Sequence, residues 1–252
     1  MVAATLEYRG RLRPEAGNQP ALVFVHGAGG AATLWLRQLR YFKPQRSTLA
    51  PFLPGHGEEG GPGRERVADY VEDIRGFLDA MRLDRVVLAG LSMGGAISQL
   101  FALTYPERLA GLVLASTGAK LKVLPAIFET LRTDFEGYLQ MMGQYSFGKS
   151  AAEEIKQEVL EETRKQNPAL IAGDFRACDA FDVRERLGGI QTPTLVLSGS
   201  EDLLTPPKYS DFLVQRIPGA KLVRFPGAGH LLPVEKPEEF NRALEAFVEG
   251  LR

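Results

Sequence analysis

One cysteine, Cys178, stands among 252 residues, so no intrachain disulfide can form. That usage fits a reducing, cytoplasmic compartment. Cys178 lies in "DFRACDAFD" with no histidine or second cysteine beside it, and is expected to be a buried small hydrophobe. Charge of one sign is also lacking. Lys plus Arg is 30 and Asp plus Glu is 31, a net charge of -1. This excludes the basic footprint that nucleic acid requires. Histidine is scarce, with only His26, His56 and His230, far apart and without ligand spacing. No metal and no other cofactor is therefore expected. The first twenty residues hold no apolar signal core, so no secretory signal peptide is expected.

One uncharged and largely apolar run is a candidate for a membrane span: Val86 to Tyr105, "VVLAGLSMGGAISQLFALTY". Its length suits a bilayer span, and Gly90 with Gly94 matches the helix-pairing pattern G-x-x-x-G. Ser92, Ser98, Gln99 and Thr104 interrupt its apolar character, and Gly94-Gly95 would weaken a helix in the middle. A buried strand, a turn and a helix describe the run better, and no membrane contact is expected.

What is present is an alternation. Apolar runs at 21–25, 47–52, 85–90, 111–116, 193–199 and 221–225 are expected as strands. They are continuous rather than alternating, which suits parallel strands covered on both faces. Between them, Val67, Tyr70, Val71, Ile74, Phe77, Leu78 and Met81 keep a 3.6-residue period, as do Phe240, Leu244, Phe247, Val248 and Leu251. The pattern predicts an α/β fold with a mostly parallel, doubly wound sheet. "TLEYRGRLR", residues 5–13, is expected as an antiparallel edge hairpin. Residues 118–189 hold no convincing strand. They are expected to form several helices, one of them across 124–142, as an insert laid over the sheet. The whole chain, 1–252, is expected to be one domain.

Within the uncharged run, Gly90-Leu91-Ser92-Met93-Gly94 matches G-x-S-x-G between a strand and a helix. A nucleophile elbow has this form: the serine sits on a strained turn, and a Cβ at either glycine would strike the neighbouring strand or helix. A serine hydroxyl needs a base. His26, in "HGAGG", and His56, in "PGHG", lie in glycine-rich turns and are expected to support the backbone. His230, in "FPGAGHLLP" just after the last strand, lies on the same rim as Ser92 and is the expected base. The base needs a carboxylate, and Asp202 in "GSEDLLTP" is favoured by loop phase over its neighbour Glu201. Oxyanion donors are expected in the N–H groups of Ala28 and Met93. "GAGG" is no phosphate cradle, since no Lys-Ser/Thr follows and G-x-G-x-x-G is absent. Trp35 is expected in the core.

"HGAGG", "PGHG", "GLSMGG", "GSEDLLTP" and "GAGHLLPVEKPEEF" occur in this order, and the sequence resembles the α/β-hydrolase superfamily over nearly its whole length. It is similar to the small bacterial carboxylesterases, peroxidase-like hydrolases and carbon–carbon bond hydrolases. The resemblance implies an eight-stranded sheet, a helical cap between its sixth and seventh strands, and Ser92, Asp202 and His230 as the triad. One departure is Phe52, where relatives often carry Asp before "PGHG".

The expected reaction is two-step acyl transfer on a small-molecule ester or related carbonyl substrate. Phe128, Leu131, Tyr138 and Met142 of the insert are expected to line an apolar pocket. A carbon–carbon hydrolase or lyase would use the same triad on an acidic substrate and would draw on cations such as Arg132, Arg164 and Arg176. A non-catalytic binding protein of the same fold is the third reading. Haloalkane dehalogenase and epoxide hydrolase chemistry is disfavoured, because position 92 is Ser rather than Asp.

Overall fold

The computed structural model describes residues 6–13, 19–58 and 60–251. Their strands are β1 (Tyr8–Arg11), β2 (Ala21–Val25), β3 (Thr48–Pro51), β4 (Val86–Leu91), β5 (Leu109–Ala115), β6 (Thr194–Gly199) and β7 (Lys221–Phe225). They form one sheet in the order β1-β3-β2-β4-β5-β6-β7, parallel except for β1, which runs antiparallel to β3. The strand order jumps outward from β2 in both directions, so the C-terminal ends of β2 and β4 adjoin at the switch point where open α/β sheets place ligands. Val25 lies opposite Gly90 there, and Gly90 opposite Leu114.

Every residue of β2, β4, β5 and β6 is buried. Alternate residues feed two cores, as the two-residue period of a strand requires. Val23, Val25, Leu88, Leu112 and Leu114 face α2 (Val67–Ala80) and α3 (Met93–Thr104). Leu22, Phe24, Val87, Ala89 and Val113 face α1 (Leu36–Phe42) and α10 (Pro237–Glu249). Trp35 is fully buried on that second side, stacked on Phe24 at 4.9 Å and leaning on Phe240 at 5.9 Å. On α2 the buried residues are Val67, Tyr70, Val71, Ile74, Phe77 and Leu78, the stripe expected from the sequence except Met81, which caps the helix end and is partly exposed. Full burial of one such apolar side chain contributes about 1.5–3 kcal/mol.

Between β5 and β6 the chain forms α4 (Pro125–Thr133), α5 (Phe135–Tyr145), α6 (Glu153–Arg164) and α7 (Pro168–Asp179), then a 3-10 turn at Arg184–Gly189. The single helix expected across 124–142 is two helices. Asp134 (φ -150, ψ 80) leaves the helical region between them, and its carboxylate caps α5 through the Gly137 N–H at 2.9 Å. Asn167 caps α7 in the same way through the Ala169 N–H. A single short pairing, Lys120 with Asp182, closes the base of the insert.

The sheet has seven strands among the described residues, where eight were expected. Of the proposed edge hairpin, Thr5 lies outside the described residues and the rest supplies one strand. Gly10, the natural place for a hairpin turn, is instead inside β1 with φ +117. A Cβ there would sit 2.0 Å from the Thr48 carbonyl oxygen, so glycine permits β1 to close on β3. α8 (Pro207–Arg216) and α9 (Leu232–Glu235) complete the elements that bear on the site.

Candidate active site

Ser92 joins the end of β4 to the start of α3. Its backbone has φ 55 and ψ -115, outside the regions open to most L residues. Such a conformation costs of order 1–3 kcal/mol and persists only where the surroundings hold it. Here the Ser92 N–H donates to the Ala115 carbonyl at 3.0 Å. The Thr117 hydroxyl donates to the Ser92 carbonyl at 2.8 Å. Both elbow glycines are sterically required. A Cβ on Gly90 would lie 2.1 Å from the Gly94 carbonyl oxygen, and one on Gly94 would lie 2.2 Å from that of Val25. The serine itself is half-buried.

Asp202 and His230 lie on the loops after β6 and β7, and the structure brings them together. The His230 Nδ1–H donates to Asp202 at 2.9 Å (Oδ2) and 3.1 Å (Oδ1). The carboxylate also receives the Leu204 N–H at 2.9 Å, the Thr205 N–H at 2.8 Å and the Thr205 hydroxyl at 2.8 Å. Burial works against its charge, but the charge and hydrogen bond of His230 and the donors of Thr205 outweigh this and hold its pKa below the ordinary carboxylate value. With Nδ1 bound as a donor, Nε2 is the ring's basic nitrogen. Glu201 turns elsewhere: its carboxylate takes the Lys149 N–H at 2.7 Å.

Glu235 lies within "GAGHLLPVEKPEEF" but was given no role from the sequence. It accepts the N–H groups of both neighbours of His230, Gly229 at 2.9 Å and Leu231 at 2.9 Å, and that of Gly148 at 2.8 Å. The His230 N–H donates to the Ser146 carbonyl at 2.8 Å. The histidine loop is thus fastened to α9 on one side and to the insert on the other. The only hint in the sequence was a carboxylate five residues after His230.

The Gly27–Gly30 turn lies against the serine: a Cβ on Gly27 would be 3.2 Å from Ser92 Cβ. His26 is buried, donating from Nδ1 to the Gly27 carbonyl at 2.9 Å and accepting the Leu53 N–H on Nε2 at 3.1 Å. Those two bonds select the neutral ring. Burial first, then the charge of His56, lowers its pKa to about 3. The Gly27 carbonyl and the Ala28 N–H belong to one trans peptide, so holding the oxygen on His26 directs the N–H to the opposite side. Among the described residues neither the Ala28 nor the Met93 N–H donates to a protein group. Met93 opens α3, where an N–H has no partner within its helix.

Leu131 and Tyr138 pack with Leu139 and Ile171 in an apolar cluster inside the insert. Phe128 lies against the core on the α2/α3 side, and Met142 against the α1/α10 side. A cleft of about 140 Å³ beside the Gly27–Gly30 turn is lined by Gly29, Gly30, Thr33, Leu34, Val159 and Val234 among others, and by none of these four. Cys178 is buried, and burial followed by the charges of Asp174 and Asp179 pushes its thiol pKa far up. Among the described residues, no helix is long and apolar enough to cross a membrane, and no group of three or more His, Cys, Asp or Glu is placed to hold a metal ion.

Residues 22–243 match the model of the alpha/beta hydrolase family, and the chain belongs to that family. It is 28% identical over 240 residues to 3-oxoadipate enol-lactonase 2 of Acinetobacter baylyi, covering 92% of this chain and 90% of that one. It is 29% identical over 252 residues to the 2-hydroxy-6-oxo-6-phenylhexa-2,4-dienoate hydrolase of Burkholderia cepacia, covering 90% and 87%. Among solved structures, a thermophilic esterase is 33% identical with a TM-score of 0.82, covering 98% of this chain and 99% of that one.

Proposed function

We propose that the protein is a serine hydrolase that cleaves carboxylic esters of neutral, small to medium apolar substrates through an acyl-enzyme. The observation that carries this reading is the Asp202–His230 hydrogen bond on the rim that bears the elbow serine. In this reading His230 Nε2 takes the proton of Ser92 as the hydroxyl attacks the carbonyl carbon. The tetrahedral oxyanion rests on the Ala28 and Met93 N–H groups, and His230 then protonates the leaving alcohol. A water activated by the same nitrogen releases the acid. Asp202 holds the tautomer and balances the imidazolium charge. The insert, residues 118–189, acts as a cap over the site; Leu131 and Tyr138 hold it together from inside, and Phe128 and Met142 pack it against the two cores. A cytoplasmic location belongs to the proposal and rests on the lone, buried Cys178.

A neutral substrate is favoured because the cap's candidate cations are exposed and held by carboxylates. Arg132 pairs with Glu129 at 2.5 Å, Arg164 with Glu136 at 3.0 Å and Arg176 with Glu65 at 2.6 Å. The carbon–carbon reading is supported by the likeness to the Burkholderia dienoate hydrolase. Catalytic efficiency across p-nitrophenyl esters of rising acyl length, compared with an acidic vinylogous diketone, separates the two. Efficiency that rises and then falls with acyl length is expected, each buried methylene contributing up to about 0.8 kcal/mol. Turnover of the diketone with none of the esters would reverse the assignment.

A further inference from the structure

A second buried cluster lies behind the oxyanion turn. Asp174, on α7 of the insert, has no solvent exposure. Its Oδ2 accepts the Gly29 N–H at 2.8 Å and the His56 Nε2–H at 2.8 Å, and its Oδ1 accepts the Tyr70 hydroxyl at 2.5 Å. Four separate parts of the chain meet at this carboxylate: α7, the Gly27–Gly30 turn, the "PGHG" turn and α2. The triad uses none of them.

The protonation of the cluster follows from its partners. His56 Nδ1 faces the Pro54 carbonyl at 3.0 Å and Nε2 faces Asp174. Both are acceptors, so both nitrogens donate and the ring is a cation. Burial opposes that charge, but the hydrogen bond and charge of Asp174 outweigh it and raise the histidine's pKa. Asp174 is therefore a carboxylate whose charge is balanced where it stands. That matters close to an oxyanion, because an unbalanced carboxylate there would oppose the charge that builds in the transition state.

We propose that Asp174 is a positioning residue for the oxyanion hole. From the insert it holds Gly29, while His26 holds the Gly27 carbonyl, so the intervening Ala28 N–H is fixed from both sides. His56 and Tyr70 supply the charge balance and the orientation that let a carboxylate do this beside a developing anion. Gly29 itself has φ +63, and a Cβ there would meet the Ile171 side chain at 3.1 Å, so the turn is pressed against α7 where Asp174 reaches it. The insert then does more than cover the serine: it helps to set the geometry of the hole. This role rests on the serine-hydrolase reading above.

The experiment compares wild type, Asp174→Asn, Tyr70→Phe, His56→Gln and the His56→Gln/Asp174→Asn double variant. Each is assayed for kcat and KM on p-nitrophenyl butyrate and for the rate at which a fluorophosphonate probe labels Ser92. The phosphonyl oxygen needs the same N–H groups, and labelling requires no turnover. Asp174→Asn is expected to lower kcat and labelling together by about 10–100-fold, below the loss of an entire oxyanion donor, with KM changed less than about threefold. Tyr70→Phe keeps the ring packing, and should lose about threefold in the same two readouts. His56→Gln leaves the carboxylate unbalanced and should be slower than the double variant, whereas a merely structural role would make the double variant the worst. A wild type that is labelled and an Asp174→Asn variant labelled at the same rate would overturn the proposal alone. Should Asp174→Asn fail to fold, unchanged labelling of Tyr70→Phe overturns it. A wild type that resists the probe and hydrolyses no ester overturns the serine-hydrolase reading, and this role with it.

Discussion

The rings of His26 and His56 lie 4.8 Å apart, and their partners push their pKa values in opposite directions. His26 gives one nitrogen to a carbonyl and the other to an N–H, and stays neutral. His56 gives both nitrogens to acceptors and stays charged. The two shifts therefore bend stability in opposite directions with pH. The depressed pKa of His26 favours the native state at neutral pH. That advantage is lost as the pH falls from 6.5 toward about 3, because the unfolded chain takes up a proton the native ring refuses. The raised pKa of His56 contributes fully below 6.5 and is lost as the pH rises through its folded value.

Urea unfolding at pH 7 and pH 4.5 isolates the first effect. Two pH units below the unfolded value, neutral His26 costs roughly 3 kcal/mol, at about 1.4 kcal/mol per unit. His26→Asn keeps a donor for the Gly27 carbonyl and cannot titrate. Its loss of stability between the two pH values should be smaller than wild type's by that same roughly 3 kcal/mol. Equal losses would mean that His26 is charged in the native state.

The backbone of Ser92 gives a prediction in which stability and activity part company. Ser92→Ala and Ser92→Gly both remove the hydroxyl and should both abolish ester hydrolysis. Ala keeps the strain of φ 55, while Gly relieves it. Thermal or urea denaturation should find the Gly variant more stable than the Ala variant by about 1 kcal/mol. The reverse order would show the elbow to be unstrained.

The acid can be assigned by paired substitutions. Asp202→Asn removes the carboxylate that His230 and three other donors share, and the wrong histidine tautomer should cut kcat by orders of magnitude. Glu201→Gln loosens only the Lys149 contact and should stay within a few-fold of wild type. The opposite ranking would move the acid to Glu201.

Glu235→Ala frees the N–H groups of Gly148, Gly229 and Leu231 at once. Because charge-assisted bonds are strong but this carboxylate is only half-buried, a stability loss of about 2 kcal/mol is expected. The kcat should fall about tenfold as His230 loses its fixed position, with Glu235→Gln milder. Unchanged kinetics would show that Ser146 alone holds the loop.

Much of this was legible in the sequence because the signals are local. The elbow needs five adjacent residues, Gly90 to Gly94, and the buried strands are apolar runs with few alternatives. Asp202 and His230 were legible as strand-end residues on one rim. The break at Asp134 was hidden, since apolar residues on both sides keep a helical spacing across it. Gly10 pointed to a turn because glycine has two uses, and only the Thr48 carbonyl beside it decides for close approach. The Asp174 cluster had no signal at all: Gly29, His56 and Tyr70 reach that carboxylate across 145, 118 and 104 residues of chain. A contact of that span is set by how α7 lies against the turns that follow β2 and β3, which no local pattern encodes.

The covalent step is the most direct test of the account. Rapid-quench mass spectrometry of the protein during turnover of p-nitrophenyl butyrate should show one added butyryl group on the peptide containing Ser92. The Ser92→Ala variant, folded by circular dichroism, should carry none and release no p-nitrophenol above background. Undiminished hydrolysis by that variant, or an acyl group on any other residue, would contradict the assignment of Ser92 as the nucleophile.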